Sequence, residues 1–580
     1  MRQKIDLVRK ELEKTNVNVS SQEGHCSFLH EEEEDMRQRI ERVRADLKDL
    51  TTFYNISISS LRTARLKNFY ESELTALKKT DFQSFDQQAK VDYLLLQNFL
   101  KKGLQQLELD VEKDKKAVSV LPFAPTIVRL CEERQQVKPM DTEKAARDVH
   151  EISKQIDISK KEVFLGKINM EKTVAFRAAN TVESLYCHLE EWFKFYRGYD
   201  PMFTWWVSEP YNKLRGQLKQ FVEIILSKLV GVKPGDKDAI IGDPIGREGL
   251  LTDLEAEMIP YTPEELIAIG ESEYVWCRTE MKKASKDLGY DNWRDALEYV
   301  KDLYVPPGEQ TQLVLHLANE ATEYVKKHDL VTVPRVAEES WRAFMMSPAD
   351  QKINPFFLGG DDIIVSYPDE TMNHEAKMMS MRGNNIHFSR STVFHEMIPG
   401  HHLQFYHIAR NRSYRQTFDT PFWMEGWALY WEMILWDKKF PETPENKIGM
   451  LFWRMHRCAR IIFSIRFHLG LMTPQECIDM LVGMVGHERE NAEGEVRRSF
   501  NGDYTPLYQA GYMLGALQIY SMRRELVEGG KMSEKQFHDT VLRQNMMPIE
   551  MLRALIENKP LTSDFRSSWR FYSGHEQKNV

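Results

Sequence analysis

The sequence has few cysteines, no surplus of basic residues and no long apolar run. The six cysteines of the 580-residue chain form no CxxC pair, which indicates reduced thiols in a cytoplasmic protein rather than a disulfide framework. The formal net charge is −9, and Lys and Arg form no dense patch, which argues against a nucleic-acid partner. No apolar run reaches the roughly 18 residues of a membrane span, and the N-terminal stretch MRQKIDLVRKELEKT lacks the apolar segment of a secretory signal. We therefore expect a cytoplasmic protein without a membrane partner, and the oligomeric state stays open.

Most of the chain has the residue pattern of amphipathic helices. Met36, Ile40 and Val43 begin an alternating spacing of four and three residues that continues to Leu50, which places them on one helical face. Helical patterns fill four further long segments, namely 60–120, 141–230, 263–328 and 391–560. The sequence therefore predicts a mainly α fold.

The segment 353–390 differs from the helical remainder. Gly359 and Gly360 precede a β-rich run from Ile363 to Tyr367, and the stretch NIHF at 385–388 alternates apolar and polar residues. These patterns predict a small β-sheet just ahead of a helix that is expected to start at Ser391-Thr392.

The informative motif is the stretch HEMIPGHH, which begins at His395. In zinc peptidases of the HExxH type, two histidines four residues apart lie on one helical face and bind the metal, and the Glu takes a proton from water. Here the position four residues after His395 is Pro399, so a regular helix cannot supply the second ligand. Pro399 and Gly400 permit a bulge of two residues, which would bring His401 into the ligand position, and His402 stays open as the alternative second ligand.

A third ligand is expected on a following helix. The stretch FWMEGWALYWE contains Glu425 and Glu432, seven residues apart and so on one helical face. Two histidines and one glutamate leave a position open for water, as catalytic zinc requires. Glu425 is the expected ligand, and Glu432 is expected to orient a ligating histidine or to be solvated.

These motifs resemble those of a known protein family. The pattern HExxPGHxxQ followed by EGWALYxE is typical of the family catalogued as domain of unknown function 885, whose members look like helical zinc metallopeptidases of the gluzincin type. The resemblance continues more weakly through 459–473, 493–498 and 508–515. The last segment is also similar to the tyrosine-bearing segment of the thimet oligopeptidase and neurolysin group.

The resemblance implies a large helical zincin-like domain and a Zn²⁺ ion as cofactor. It assigns His395, His401 and Glu425 as metal ligands and Glu396 as the general base. His₂Glu suits zinc best, although manganese and iron stay open as alternatives.

Five further residues are candidates for catalysis or substrate binding. Tyr512 and Tyr508 match tyrosines that donate to an oxyanion, and His468 lies in a shared segment and is assigned to catalysis. Arg460 and Arg498 are candidates for binding a substrate carboxylate. Each has a structural alternative, since the tyrosines and His468 can be core residues and the arginines can form internal salt bridges.

The expected function is hydrolysis of amide bonds in short peptides by a zinc-dependent oligopeptidase or carboxypeptidase. Two alternatives stay open, a metal-dependent hydrolase or lyase acting on a small amide metabolite and a helical scaffold with a relict metal site. The predicted organisation has four parts: a charged helical segment at 1–50, a helical region walling a cleft at 51–350, a zincin-like catalytic region at 351–562 and a polar, frayed tail at 563–580.

Overall fold

Helices make up nearly all of the regular structure in the computed structural model, which describes residues 34–236 and 238–574. The mainly α fold is confirmed. Within these described residues, every helix is too short or too polar to cross a membrane. Residues 1–33 of the predicted charged segment lie outside the described residues.

The α-helices fall into a group before the small sheet and a group after its first strand. The first group is α1 (Met36–Phe53), α2 (Ser60–Leu77), α3 (Gln87–Ala117), α4 (Ala124–Gln135), α5 (Thr142–Phe164), α6 (Lys172–Tyr196), α7 (Pro201–Ile224), α8 (Gly246–Ala256), α9 (Pro263–Asp287), α10 (Trp293–Lys301), α11 (Gln310–Lys327) and α12 (Arg335–Ser340). The second group is α13 (Pro348–Gln351), α14 (His374–Gly383), α15 (Ile386–Glu396), α16 (His401–Ile408), α17 (Pro421–Asp437), α18 (Pro444–His468), α19 (Pro474–Met480), α20 (Arg489–Phe500), α21 (Tyr508–Arg523), α22 (Glu534–Gln544) and α23 (Ile549–Ile556).

The helix predicted from Met36 is confirmed as α1. Asp35 caps it, because its side chain accepts a hydrogen bond from the Gln38 backbone N–H and the Gln38 side chain accepts one from the Asp35 N–H. Such a capping box satisfies two donors that the first helical turn leaves unpaired. Asp35, the last residue of the acidic stretch that precedes Met36, is therefore the N-cap of the helix. Met36, Ile40 and Val43 are buried, as their spacing predicts.

Two large hydrophobic cores organise the helices. The side core is built mainly by α4 to α7, and includes Ile127, Val149, Val182 and Leu214. The main core contains helices from both ends of the chain, from α1 to α23, including the long helix α18. The histidine motif and the EGWALY segment both belong to the main core.

The predicted small sheet lies against the helix that carries the histidine motif. Strands β1 (Arg342–Met345) and β2 (Asp362–Val365) pair in parallel, with Arg342 opposite Asp362. Ile363 and Val365 of β2 share a small hydrophobic cluster with Val393 and Met397 of the motif segment. The expectation of a small sheet beside this helix is therefore confirmed.

The helix with the motif begins earlier than predicted. The stretch 385–388 is not a strand, because the Asn385 side chain accepts hydrogen bonds from the backbone N–H groups of His387 and Phe388 and caps α15. Ser391 and Thr392, the predicted start, lie inside that helix. Asparagine is as good an N-cap as serine. The alternation of apolar and polar residues in the NIHF stretch led to the prediction of a strand, so the cap at Asn385 was missed.

Helices α17 and α21 touch backbone to backbone through three glycines. A Cβ atom on Gly515 would lie 2.1 Å from the Phe422 carbonyl oxygen, and one on Gly426 would lie 2.7 Å from the Gly515 carbonyl carbon. A Cβ atom on Gly511 would lie 2.9 Å from the Pro421 side chain. The glycines therefore set the distance between the helix that carries Glu425 and the helix that carries the two candidate tyrosines.

The C-terminal tail is packed rather than frayed over its described part. Trp569 and Phe571 are buried in the main core. Arg570 forms an ion pair with Glu265 of α9, and the Tyr572 backbone N–H donates to the Tyr261 hydroxyl at 3.1 Å. The polar composition of the tail predicted that its residues would be frayed. The buried rings of Trp569 and Phe571 instead attach the tail to the helices.

We expect Trp569→Ala to lower the free energy of unfolding by about 3 kcal/mol, because truncating a buried tryptophan leaves a cavity. Urea denaturation measures the difference. Ser568→Ala, at an exposed neighbouring position, is the control and should change stability by less than about 0.5 kcal/mol. Equal stability of the Trp569 variant and the wild type would mean that the tail does not contribute to the core.

Candidate metal centre

The motif helix is interrupted where the sequence predicts. Helix α15 ends at Glu396, the chain leaves the helical path, and α16 begins at His401. A Cβ atom on Gly400 would lie 1.8 Å from the His395 carbonyl oxygen, so only glycine allows the chain to fold back this tightly. Trp427 of α17 fixes the turn by donating from its indole N–H to the Pro399 carbonyl at 3.0 Å. The predicted Pro-Gly interruption is confirmed.

The interruption brings together the three residues predicted as metal ligands. One ligand atom each of His395, His401 and Glu425 lies within 4.8 Å of the other two. The Glu425 Oε2 atom lies 3.1 Å from His401 Nε2 and 3.5 Å from His395 Nε2. All three side chains are buried. The structure thus contains a buried group of two nitrogens and one oxygen that is able to hold a metal ion.

His402 points away from this group. Its Nδ1 atom lies 3.1 Å from the Gly360 carbonyl oxygen, and its Nε2 atom lies 2.8 Å from the Ala337 carbonyl oxygen. Both ring nitrogens are therefore engaged by backbone on the side of the small sheet. Of the two adjacent histidines, the structure brings His401 to Glu425.

Hydrogen bonds at the outer ring nitrogens leave the inner ones free for a metal. Glu432 accepts from His395 Nδ1 at 2.7 Å, as the spacing of Glu425 and Glu432 suggested. Gln404 donates from its Nε2 to the Trp423 carbonyl, so its Oε1 is the atom that accepts from His401 Nδ1 at 3.2 Å. With a metal ion bound, both Nε2 atoms would supply their lone pairs on the side of Glu425, and this donor set fits Zn²⁺.

The pKa values in the group reflect mutual stabilisation of opposite charges. Although burial opposes its charge, the pKa of Glu425 lies well below its ordinary value because His401 and His395 are adjacent. Burial likewise opposes the charge of His401, but Glu425 raises the pKa of that imidazole to about 9. Glu425 is therefore held as a carboxylate, and a divalent cation that binds here would displace the proton that Glu425 stabilises on His401.

Glu396 lies next to the group without belonging to it. Burial raises the pKa of Glu396, while His395 and His401 oppose that shift. A Cβ atom on Gly359 would lie 2.4 Å from the Glu396 Oε2 atom, so the glycine at the start of the β-rich segment leaves space for this carboxylate. The predicted general base is thus a buried carboxyl group one residue from a candidate ligand.

The two candidate tyrosines lie on α21 and have different surroundings. The Tyr508 hydroxyl donates a short hydrogen bond to Glu425 Oε1, which is the oxygen that does not face the histidines. The Tyr512 ring lies nearly parallel to the His395 ring, with a centroid distance of 6.0 Å. Its hydroxyl makes no hydrogen bond to any residue in the part of the chain that the structure describes. Tyr508 therefore positions a ligand, and Tyr512 has a free donor.

The predicted substrate-binding arginines have internal partners. Arg460 holds Glu495 through two guanidinium nitrogens, at 2.8 and 2.6 Å. Arg498 lies 4.0 Å from the same carboxyl group and donates to the Tyr504 hydroxyl at 2.9 Å. The Arg460 guanidinium also lies 4.3 Å from the centroid of the Tyr512 ring. These contacts show salt bridges beneath Tyr512, and a substrate contact by either arginine stays a prediction.

Comparison with known proteins decides the family. Residues 55–556 match the model of the family described as "Bacterial protein of unknown function (DUF885)". The chain belongs to the DUF885 family. No curated protein matches it.

Two solved structures share the fold of this DUF885 protein. One, from Shewanella oneidensis, is described as "a putative lipoprotein of unknown function"; it has 18% sequence identity and a TM-score of 0.64, and the match covers 90% of this chain and 100% of that one. The other, described as "the putative lipoprotein from Colwellia psychrerythraea", has 16% identity and a TM-score of 0.56, with 91% and 100% coverage. At these identities the matches show a shared fold.

The same comparisons overturn the expected cytoplasmic location. Both structural neighbours are described as lipoproteins, which contradicts a cytoplasmic assignment. That assignment depended on scattered cysteines and the lack of a long apolar run. Neither property distinguishes a cytoplasmic protein from a lipoprotein whose folded part resembles this one.

His468, predicted to be catalytic, is not brought to the metal centre of the DUF885 protein. It is the last residue of α18, eight residues beyond Arg460 and so about 12 Å further along the helix axis. Its ring packs beside Phe467 and Phe500, and burial lowers its pKa to about 3. The structure therefore places His468 away from the candidate ligands, and a catalytic role for this residue stays a prediction.

Sequence reasoning also missed residues that support the site. Arg457 lies 3.5 Å from Glu432 and 4.6 Å from the Tyr512 ring centroid, and Glu495 holds Arg460. Gln404 belonged to the motif but had no assigned role. A detectable signal was the presence of Arg454, Arg457 and Arg460, spaced by three residues, among the many apolar residues of α18, since buried charges need partners.

We expect Gly400→Ala to weaken zinc binding by at least about tenfold, because displacement of a ligand by even a small distance costs metal affinity. The added methyl group would meet the His395 carbonyl and push His401 away from His395. Competition with a chromophoric zinc chelator measures the affinity. Gly216→Ala, on an open face of α7, is the control, and unchanged zinc affinity in the Gly400 variant would contradict the role of the turn.

We expect His468→Gln to reduce the loss of stability between pH 7 and pH 5 by about 2 kcal/mol. The folded pKa of His468 is about 3, whereas an unfolded imidazole titrates near pH 6.5. The unfolded state therefore binds a proton first, and stability present above pH 6.5 is lost as the pH falls towards 3. Urea denaturation at the two pH values measures the effect, and an identical loss in variant and wild type would contradict burial of a neutral ring.

Proposed function

We propose that this protein is a zinc-dependent hydrolase that cleaves amide bonds of short peptides. The observation that carries the proposal is the buried convergence of His395, His401 and Glu425 next to the carboxyl group of Glu396. Two features support a likeness to gluzincin peptidases. The histidines precede the glutamate ligand along the chain, and the two tyrosines lie on a later helix.

His395 Nε2, His401 Nε2 and Glu425 Oε2 would hold the metal. A zinc ion bound there would supply a Lewis acid that polarises the scissile carbonyl and lowers the pKa of a water molecule. Glu432 and Gln404 keep the two imidazoles in the required orientation and tautomer, and Tyr508 holds the Glu425 carboxylate from its far side.

Glu396 is the proposed proton carrier. Its carboxyl group accepts a proton from the attacking water and passes it to the leaving amine. Burial raises the pKa of this group, which makes the carboxyl a stronger base than an exposed glutamate. Gly359 supports the role, because any side chain at that position would occupy the space of the Glu396 Oε2 atom.

Tyr512 is the proposed donor to the oxyanion that develops on the scissile carbonyl. Its ring lies beside His395, and Arg457 and Arg460 lie 4.6 and 4.3 Å from its centroid. Burial raises the pKa of Tyr512, so the hydroxyl keeps its proton and is able to donate it in a hydrogen bond. Tyr508 is not the donor in this proposal, since Glu425 already accepts from it.

Burial of the site favours small substrates. Glu396 is 8% exposed and His401 is 6% exposed, so a folded protein chain has no access to these atoms without rearrangement. This supports an oligopeptidase or carboxypeptidase over a general endoprotease. A hydrolase of small amide metabolites shares the same chemistry, and a panel of free, N-acetylated and C-amidated peptides distinguishes the two.

We expect Glu396→Gln to retain zinc and to lower kcat by about two to four orders of magnitude, the usual contribution of general acid–base catalysis. The substitution removes the proton acceptor and keeps the shape of the side chain. Elemental analysis and peptide cleavage, read by mass spectrometry, measure the two properties separately.

Glu432→Gln is the matched comparison. It alters a partner of His395 rather than the base, and should therefore lower zinc affinity by about 10- to 100-fold while metal-saturated enzyme keeps measurable turnover. Full turnover of the Glu396 variant would refute the assignment of the base. Wild-type protein that fails to bind stoichiometric zinc would favour a scaffold with a relict site.

A further inference from the structure

A second cavity lies beside the candidate metal centre. Its volume is about 190 Å³, and its wall includes Met424 and Tyr508. Met424 immediately precedes the ligand Glu425, and Tyr508 donates its hydroxyl hydrogen to that ligand. One tyrosine side chain therefore separates the cavity from the group that would hold the metal.

Carboxyl groups predominate among the charged residues of this cavity. Asp253 lies on α8, Glu257 directly follows that helix, Asp419 comes from the segment before α17, and Lys102 of α3 is the one cation among the described lining residues. Three carboxyl groups face one ammonium group, while Met424 and other lining residues are apolar. The negative charge of the cavity suits a cation, and its apolar wall suits the aliphatic chain to which such a cation is attached.

Asp253 lacks a partner for its charge. The side chain is only 5% exposed, and it forms no hydrogen bond or ion pair with any residue within 34–236 and 238–574. A buried carboxyl group in this condition is costly unless something charged or polar reaches it. Burial raises the pKa of Asp253, and Lys102 only partly opposes that shift, so the described part of the fold leaves this carboxyl group without a direct partner at the cavity wall.

Glu257 connects the cavity to the helix that carries the metal ligand. Its carboxylate accepts a hydrogen bond from the Thr420 hydroxyl at 2.6 Å, and Thr420 is the N-cap of α17. Glu257 thus has a structural partner, whereas Asp253 does not. The structure therefore provides no hydrogen-bonding partner within the described residues for the buried carboxyl group of Asp253.

We infer that this cavity binds a positively charged group of the substrate, a primary ammonium or a guanidinium, with Asp253 as its principal partner. The inference rests on the proposed function and specifies its substrate class. The volume corresponds to about six water molecules at roughly 30 Å³ each, enough for a basic side chain or an N-terminal residue but not for a whole peptide. Either source presents the same cation to Asp253.

Three small probes distinguish the sources of the cation. Norleucinamide carries only an α-ammonium group, N-acetyl-lysinamide carries only a side-chain ammonium group, and N-acetyl-norleucinamide is neutral. Calorimetric titration into the zinc-loaded full-length protein measures binding of each probe without requiring hydrolysis. We expect at least one cationic probe to bind about tenfold or more tightly than the neutral one, as a charge-assisted contact with a buried carboxylate implies.

Two variants should act in opposite directions. Asp253→Asn should abolish the preference for the cationic probe, and Lys102→Met should strengthen it, because the competing ammonium group is removed. A folding defect would not produce changes of opposite sign. Glu255→Gln, an exposed carboxyl group on the same helix, is the control and should leave the preference unchanged.

The outcomes separate this inference from the proposed function. Asp253-dependent binding of a cationic probe supports the cation site even if no peptide is cleaved, and in that case only the proposed hydrolysis fails. Equal binding of the neutral probe, or an unchanged preference in Asp253→Asn, overturns the cation site even if peptides are cleaved. The better of the two cationic probes identifies whether the N-terminus or a basic side chain is recognised.

Discussion

The close contact of α17 and α21 is the constraint on which the site depends. Gly426, Gly511 and Gly515 place no side chain of their own in the contact, so the two helices approach closely at these positions. At this distance the Tyr508 hydroxyl of one helix reaches the Glu425 carboxylate of the other, and Tyr512 reaches the ring of His395. A wider separation would leave Glu425 without the hydrogen bond from Tyr508 and would move Tyr512 away from His395.

A second set of contacts, between buried carboxylates and arginines, lies next to the candidate ligands. Glu432 lies between His395 and Arg457, and Glu495 lies between Arg460 and Arg498. These groups lie in the main core, where unpaired charge is costly, and the pairing of each carboxylate with arginine offsets that cost. The candidate metal centre of the DUF885 chain thus adjoins a network of carboxylates paired with arginines.

Local sequence patterns predicted the helices and the ligand set well. The capped helix from Met36, the sheet beside the motif and the interruption before His401 all depend on neighbouring residues, and each is confirmed. The backbone chemistry of Pro399 and Gly400 favoured His401, while the alternative of His402 stayed open until the structure showed its ring nitrogens facing backbone carbonyls. Such features are predictable because the interactions that determine them span only a few residues.

Long-range features were not predictable from the same patterns. His468 was predicted to be catalytic because it lies in a segment shared with the family. The structure places it at the far end of α18, where it packs against Phe500. The role of Gly515 requires knowledge of its partner Phe422, and the cavity beside Tyr508 depends on Asp253, which lies far away in the sequence. The two aromatic residues of the tail likewise needed a binding surface that no local pattern reveals.

The division of the helices into two hydrophobic cores affects how the molecule loses its structure. The side core, around α4 to α7, contains none of the described candidate site residues, whereas the main core contains or borders all of them. A chain with two such cores has two potential cooperative units, and one melting temperature then describes neither unit fully. Zinc would stabilise the folded state of the main core, so a chelator would shift one transition while the other stays in place.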